Sequence, residues 1–194
     1  MPLVDPGPIE SERLTVRLLR ESDLPALFEV NGDEIVTALL PYPAWHSLDD
    51  AHAWHARMAG LQATGSALQF VVVSKASGLA IGTCLLFRYE EGSARVELGY
   101  VLGRAHWGRG LMREALGVLL GHAFANMNVR RIEAEVDPRN TASGGLLSRL
   151  GFTREGLLRQ RWITKGEATD VEVFGLLRSD WRLDRAASHR AASA

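Results

Sequence analysis

Between Glu97 and Ala115 the chain reads Glu97-Leu98-Gly99-Tyr100-Val101-Leu102-Gly103-Arg104-Ala105-His106-Trp107-Gly108-Arg109-Gly110-Leu111-Met112-Arg113-Glu114-Ala115. A strand-like run, a glycine-rich loop and an amphipathic helix follow one another, an order suited to binding an anion. The first turn of a helix leaves about four backbone N–H groups without intrahelical partners, and the helix dipole makes that end partly positive. Gly108 and Gly110 lack a Cβ, so an anion can approach the backbone closely. Arg104, Arg109 and Arg113 concentrate positive charge around the same opening. Together these residues predict a local pyrophosphate site. The Gly-Lys-Ser/Thr of a P-loop is absent, and so is the third glycine of a dinucleotide fingerprint. On this segment alone, a tight strand-to-helix turn with no ligand stays open.

A second stretch follows one helix and one strand later: Asp137-Pro138-Arg139-Asn140-Thr141-Ala142-Ser143-Gly144-Gly145-Leu146-Leu147-Ser148-Arg149-Leu150-Gly151-Phe152. Asn140 stands where a helix N-cap belongs, a role worth ~1 kcal/mol. Ser143 falls in the first turn behind it. His46, His52 and His55 sit close in sequence, the last two at i, i+3 on a helix. With no carboxylate or cysteine in metal-site spacing they read as a solvated helix face, and no metal site is expected. The single cysteine, Cys84, lies in the apolar run Ile81-Gly82-Thr83-Cys84-Leu85-Leu86-Phe87 and reads as a buried small hydrophobe.

The elements that must position these residues follow from periodicity. Leu14, Val16 and Leu18 alternate as in a half-buried strand. Ser22-Asp23-Leu24-Pro25 and Ser47-Leu48-Asp49-Asp50 look like capped helix starts, the second helix running to about residue 60. Leu68–Ser74 and Leu79–Tyr89 read as strands joined by a turn over Lys75-Ala76-Ser77-Gly78, and Arg95–Leu102 as a third. Met112, Leu116, Leu119, Leu120, Ala123 and Met127 share one face of a helix from Gly110. Arg131–Val136 is a strand, Asn140–Leu150 a helix, and Phe152–Ile163 and Thr169–Leu177 a closing hairpin around Lys165-Gly166-Glu167. The expectation is an α/β domain with a mixed, mostly antiparallel central sheet of about seven strands and about four flanking helices.

Composition bounds the rest. The chain has 194 residues, 46% hydrophobic and 23% charged, with 22 basic against 23 acidic residues. That length suits one domain, assigned to residues 11–182, with an extended lead-in over 1–10 and a disordered tail expected over 183–194. The near-neutral balance argues against nucleic-acid or membrane binding through bulk charge. A single cysteine excludes an intramolecular disulfide framework and a multi-cysteine zinc site. No run reaches the ~18 apolar residues of a membrane span, and the start lacks a secretory signal pattern, so a cytoplasmic protein is expected.

Trp107-Gly108-Arg109-Gly110 opening a helix, followed by Asp137-Pro138-Arg139-Asn140-Thr141-Ala142-Ser143 and Leu150-Gly151-Phe152, closely resembles the GNAT superfamily of acetyl-CoA-dependent N-acetyltransferases. Within it the chain looks like the RimJ/RimL branch, which acetylates protein α-amines and includes relatives acting on small amines. The resemblance runs from Ser11-Glu12-Arg13-Leu14 to Asp180-Trp181. It implies acetyl-CoA as cosubstrate, no metal, an amine acceptor that is a protein N-terminus or a small molecule, and a homodimer.

The resemblance also implies roles. Backbone amides from Trp107, Gly108, Arg109, Gly110, Leu111, Met112 and Arg113 would cradle the coenzyme pyrophosphate, with a tighter approach near Met112, where the family pattern has a small residue. The strand ending at Leu102 would pair with the pantetheine arm, and one amide among Tyr100, Val101 and Leu102 would polarise the thioester carbonyl. Asn140 would hydrogen-bond the pantetheine amide, and Ser143 would protonate the departing thiolate. Gly144-Gly145 replaces a bulkier pair and would loosen that helix. Trp45, Trp54 and Trp162 would line the acceptor cleft or pack in the core.

Glu97 matches a family general base, against a solvated or ion-paired strand carboxylate. Its importance depends on the amine. Deprotonating a lysine ε-amine of pKa ~10.4 at pH 7 costs roughly 4–5 kcal/mol, an α-amine of pKa ~7.7–8.0 only about 1. Two functions follow: direct acetyl transfer to a primary amine in a ternary complex, or a non-catalytic acyl-CoA-binding regulatory module on the same fold.

Overall fold

A computed structural model describes residues 3–181. The proposed tail over 183–194 and the first two residues of the lead-in lie outside the described residues. The strands are β1 (Ile9–Glu10), β2 (Leu14–Leu18), β3 (Ala67–Ser74), β4 (Ala80–Glu90), β5 (Arg95–Leu102), β6 (Arg131–Val136), β7 (Thr153–Thr164) and β8 (Glu167–Leu177). The helices are α1 (Leu24–Asn31), α2 (Glu34–Thr37), α3 (Leu48–Ala63), α4 (Leu111–Asn126) and α5 (Thr141–Arg149).

The eight strands form one sheet in the order β1-β2-β3-β4-β5-β6-β8-β7. Every neighbouring pair is antiparallel except β5 with β6, which α4 connects as a crossover. The sheet has one strand and the fold one helix more than the pattern predicts. β1 is two residues long and α2 four, too short for periodicity to register. β1 pairs Ile9 with Val16 within the stretch expected to be a lead-in, and Leu3 is already buried, its N–H donating to the Gly65 carbonyl at 3.2 Å. α2 is visible locally only through Asp33, whose carboxylate accepts from the Ile35 N–H at 2.9 Å.

Alternation along the strands divides the core between the two faces. Leu14, Val16, Leu68, Phe70, Val72, Leu86, Val96 and Leu98 pack with Leu116, Leu119 and Leu120 of α4 and Leu147 of α5. Leu24, Leu27, Trp45 and Ala51 cover the opposite face over Val71 and Ala80. Each such buried aliphatic side chain contributes ~1.5–3 kcal/mol relative to exposure. The predicted face of α4 is the buried one, Met127 being only partly covered. Cys84 is wholly buried, which pushes its thiol pKa up and leaves it as packing. The capped start read at Ser47 forms, as a capping box in which Ser47 and Asp50 each accept from the other end of the first turn. No helix among the described residues is long and apolar enough to cross a membrane.

Candidate active site

The site begins where the sheet divides. β5 and β6 pair only from Arg95–Arg131 to Glu97–Glu133. Beyond that β5 stays with β4 as far as Leu102 opposite Gly82, while β6 stays with β8 as far as Val136 opposite Glu172. The strands therefore separate into two leaves with a slot between them.

Register settles which groups face the slot. The Gly103 N–H donates to the Ile81 carbonyl of β4 at 2.9 Å, so strand alternation turns the backbone of Val101 and Gly99 toward β4 as well. The intervening residues, Leu98, Tyr100 and Leu102, present their N–H and C=O groups to the opening. Of the three amides expected to serve a thioester, Val101 is thus directed away, and Tyr100 and Leu102 remain. The Leu102 carbonyl accepts from the Trp107 indole at 2.7 Å, which staples the following loop to the end of the strand.

That loop ends at the positive pole of α4. Gly110 is the N-cap at φ 73° and Gly108 sits at φ 71°. A Cβ at Gly108 would meet nothing nearby, so the left-handed backbone itself, not crowding, calls for glycine. The first backbone bond of the helix runs from the Glu114 N–H to the Gly110 carbonyl at 3.0 Å. The amides from Gly108 through Arg113 have no partner among the described residues. Trp107 does not belong with them, because its N–H closes the preceding turn onto the Arg104 carbonyl at 3.2 Å.

Two expectations about this loop need correction. Met112 does not narrow the approach: its side chain is turned into the core, with Sδ 3.9 Å from Cys84 Sγ. Arg104 does not add charge at the opening, since its Nε is 2.8 Å from Asp33 Oδ2 at the start of α2. Arg109 and Arg113 are exposed and have no ion-pair partner among the described residues. Arg13 also borders the loop, its guanidinium donating to the Arg109 carbonyl at 3.1 Å and paired with Glu114. Glu114 also accepts from Ser11 Oγ at 2.8 Å and from the Arg13 N–H at 2.7 Å. Burial raises the Glu114 pKa, yet these donors outweigh it and hold the carboxyl below its ordinary range. A groove of about 400 Å³, lined in part by Arg13, Lys75 and Arg109, leads off from the loop.

Across the slot, Asn140 caps α5, its Oδ1 accepting from the Ser143 N–H at 3.1 Å, which leaves its amide nitrogen without a partner among the described residues. Ser143 Oγ lies 2.7 Å from the Tyr100 hydroxyl. The glycine pair does not unwind α5, which runs unbroken with Gly144 against the Phe174 ring.

The opposite mouth of the slot is lined by charge pairs. Glu97 is buried, with Arg88 Nη1 3.0 Å from one carboxylate oxygen and Arg95 Nη1 3.5 Å from the other. Arg95 continues to Glu133, and Glu133 to Arg131, which pairs with Glu155. Arg88 reaches this position from an irregularity in β4 at φ 50°, and its guanidinium lies 5.5 Å from the Phe87 and Trp162 ring centres. The Trp162 indole donates to Glu135 at 2.7 Å. Trp162 is the one predicted tryptophan at the mouth; Trp45 and Trp54 meet with ring centres 5.3 Å apart and planes tilted by 52° in the second core cluster. Lys165, at the tip of the β7–β8 hairpin, donates to the Thr37 and Ala38 carbonyls at 2.7 and 3.2 Å, so the hairpin bridges to the end of α2. His46, His52 and His55 lie on or before α3, away from the slot, and His52 Nδ1 is 3.7 Å from a Glu21 oxygen.

A slot between diverging strands, fed by an amide-rich helix end, is the architecture of a coenzyme-dependent acyltransferase, and the comparisons agree. The acetyltransferase (GNAT) domain family matches residues 13–153. The uncharacterized N-acetyltransferase p20 of Bacillus licheniformis is 36% identical over 171 residues, covering 88% of this chain and 96% of that protein. The [ribosomal protein uS5]-alanine N-acetyltransferase of Escherichia coli is 30% identical over 182 residues, covering 89% and 92%. The crystal structure of a probable GNAT-family acetyltransferase from Chromobacterium violaceum superposes with a TM-score of 0.83 at 30% identity, covering 92% and 90%. The chain belongs to the GNAT acetyltransferase family and is an N-acetyltransferase.

Proposed function

We propose that the protein moves the acetyl group of acetyl-CoA directly onto a primary amine, a protein N-terminal α-amine in the first place, with both substrates bound together. The observation that carries this reading is the end of β5–β6 pairing at Glu97 and Glu133, which opens a strand edge beside the uncapped amides of α4. The residues fit such a ligand. The amides from Gly108 to Arg113 take the diphosphate, with Arg109 and Arg113 as counter-charges. The pantetheine amides replace a neighbouring strand along Leu98, Tyr100 and Leu102, aided by the free Asn140 nitrogen. One N–H, of Tyr100 or Leu102, donates to the thioester oxygen as negative charge develops there. Loss of a single oxyanion donor costs ~10²–10³ in rate in other enzymes. Ser143 Oγ would meet the coenzyme sulfur.

The α-amine preference rests on the mouth. Glu97 has a guanidinium at each oxygen, and Glu133 and Glu135 are also occupied by arginine or indole groups. Surplus acid for a polyamine is therefore lacking at these positions, and Glu97 is poorly placed to accept a proton. An α-amine needs little help, because at pH 7 its neutral form is only about 1 kcal/mol away and water can take the proton. The name of the Escherichia coli relative supports the same acceptor class. The test is incubation with acetyl-CoA and a mixture of peptides, lysine derivatives and polyamines, following free thiol and acceptor mass. Acetylated peptide N-termini are expected. Coenzyme binding without turnover on any acceptor would favour the regulatory-module reading.

A further inference from the structure

Tyr100 contributes a side chain as well as a backbone amide. Its hydroxyl is 2.7 Å from Ser143 Oγ and 3.4 Å from the Ser143 carbonyl oxygen. The two residues come from opposite walls of the slot, Tyr100 from β5 beyond the last β6 pair and Ser143 from the first turn of α5. Both ends are fixed: the Tyr100 ring packs against the main core opposite Cys84, and Asn140 holds the Ser143 N–H. Between two hydroxyl oxygens this close only one proton bridges, so the other hydroxyl is free to point elsewhere. A phenol is the more acidic hydroxyl and the better donor, which assigns the bridging proton to Tyr100 and frees the Ser143 O–H. Burial pushes the phenol up to about 12 despite the Ser143 bond, so Tyr100 keeps its proton across the neutral range.

We propose that Tyr100 is a positioning residue for the coenzyme's departing sulfur: its O–H donates to Ser143 Oγ, which aims the Ser143 O–H at the sulfur and strengthens it as a donor. This rests on the acetyl-CoA reading above. The amine lone pair forms the new carbon–nitrogen bond to the acetyl carbon. As the carbon–sulfur bond then breaks, its electron pair goes to sulfur, which leaves as a thiolate held by the Ser143 hydroxyl. Neither hydroxyl surrenders its proton, since a thiol of pKa ~8.5 is a stronger acid than a phenol of ~10 or an alcohol. Water takes the proton lost by the amine, and water supplies the one the thiolate finally gains. Ser143 thus acts by hydrogen bonding, not by the proton transfer that the family resemblance suggests.

The experiment is calorimetric titration of the full chain with CoA and with desulfo-CoA, from about pH 6.5 to about 9, a range spanning the ordinary thiol pKa. The ratio of the two affinities should rise with pH as bound thiolate accumulates. Tyr100→Phe should reduce that rise about tenfold, equivalent to one unit in the bound thiol's pKa. Ser143→Ala should do the same, and the double variant no more than the larger single loss, because the hydroxyls act in series. Desulfo-CoA affinity should hold within about twofold throughout, since the ligand lacks the atom concerned. Ser143→Ala reads the pair from its other end should the phenylalanine variant fold poorly. A wild-type ratio at every pH in Tyr100→Phe, or additive losses, overturns the proposal. Failure of wild-type protein to bind either ligand instead removes the coenzyme reading beneath it.

Discussion

The Arg13 guanidinium lies 2.6 Å from the Glu114 carboxylate, tying the start of β2 to the first turn of α4. Because Arg13 also donates to the Arg109 carbonyl, the pair fixes the loop whose amides are to receive the diphosphate. Glu114→Ala leaves Ser11, the Arg13 N–H and the guanidinium without their acceptor. It should lower stability by about 2 kcal/mol, the range for a charged hydrogen-bond acceptor, with the half-exposed Arg13 trimming the loss. Coenzyme affinity should fall about tenfold, as loosening of the loop costs preorganisation. Denaturant melts and titration with CoA check the two effects separately; a destabilised variant with wild-type affinity would detach the clamp from the binding loop.

Gly110 supplies the left-handed backbone at the head of α4, and replacing it separates strain from charge. Gly110→Ala should lose about 1–2 kcal/mol from the φ 73° conformation alone. Gly110→Asp carries no more strain, since aspartate tolerates the left-handed region better than alanine, but it sets a carboxylate against the diphosphate, so its CoA affinity should be at least about a hundredfold lower than wild type. Equal affinities for the alanine and aspartate variants would mean that no anion sits at the helix end.

Glu97 discriminates between two chemistries. With Arg88 and Arg95 at its oxygens it stays an ion-paired strut, and Glu97→Gln should keep kcat within about tenfold, where loss of a true general base costs ~10²–10⁴. The pH–rate profile should keep its shape, and the thermal midpoint should drop, because two guanidiniums lose their counter-charge. A profile whose basic limb vanishes in the variant would restore the base assignment.

Much of this architecture was legible in the chain. Strands β5 and β6 match their predicted bounds residue for residue: β6 alternates strictly, and β5 is bracketed by Gly92-Ser93 and Gly103. Helix α3 runs a few residues past Gly60, since Leu61-Gln62-Ala63 are good helix formers and a lone exposed glycine only weakens a helix. The phosphate loop was readable from glycines and arginines, but which arginine turns inward was not: Arg104 and Arg13 are distinguished by Asp33 and Glu114, partners remote in sequence. The division of the sheet depends on pairing between distant strands, so the direction of the Val101 amide could not be assigned. Arg88 and Lys165 escaped for the same reason, both standing at irregular, positive-φ positions that periodicity does not register. The Tyr100 hydroxyl was hinted at by a polar-tipped residue in the core-facing series Leu98, Tyr100, Leu102, and Ser143 by its place on α5; their pairing across the slot was not legible.

Lys165 ties the tip of the β7–β8 hairpin to the end of α2. Its ammonium meets the carbonyl end of α2 through two hydrogen bonds, in the sense a helix dipole favours. Lys165→Met preserves the aliphatic stem and removes both donors, a loss of about 1–2 kcal/mol at an exposed tip. Amide hydrogen exchange at the turn should accelerate, and KM for a peptide acceptor should change about threefold or more while KM for acetyl-CoA stays constant. Equal shifts in both constants would place the clasp outside the acceptor path.

Asp23 gives the fold an acid limit that can be assigned in advance. It is buried, and it accepts from both terminal nitrogens of Arg17, at 2.8 and 2.7 Å, and from the Arg20 N–H at 2.9 Å. Burial raises its pKa, but the Arg17 and Arg20 hydrogen bonds more than compensate, and the folded value lies below the ordinary one. A group lowered in this way stabilises the fold fully above its unfolded pKa of ~3.9, and that contribution disappears as pH falls through the folded value. Asp23→Ala, which strands the Arg17 charge, should cost about 3 kcal/mol at neutral pH. Its stability curve should converge with that of the wild type as pH falls through the lowered folded value, where the wild-type carboxyl takes up its proton. A gap of constant size down to the acid transition would mean that Asp23 contributes by filling space, because packing does not titrate.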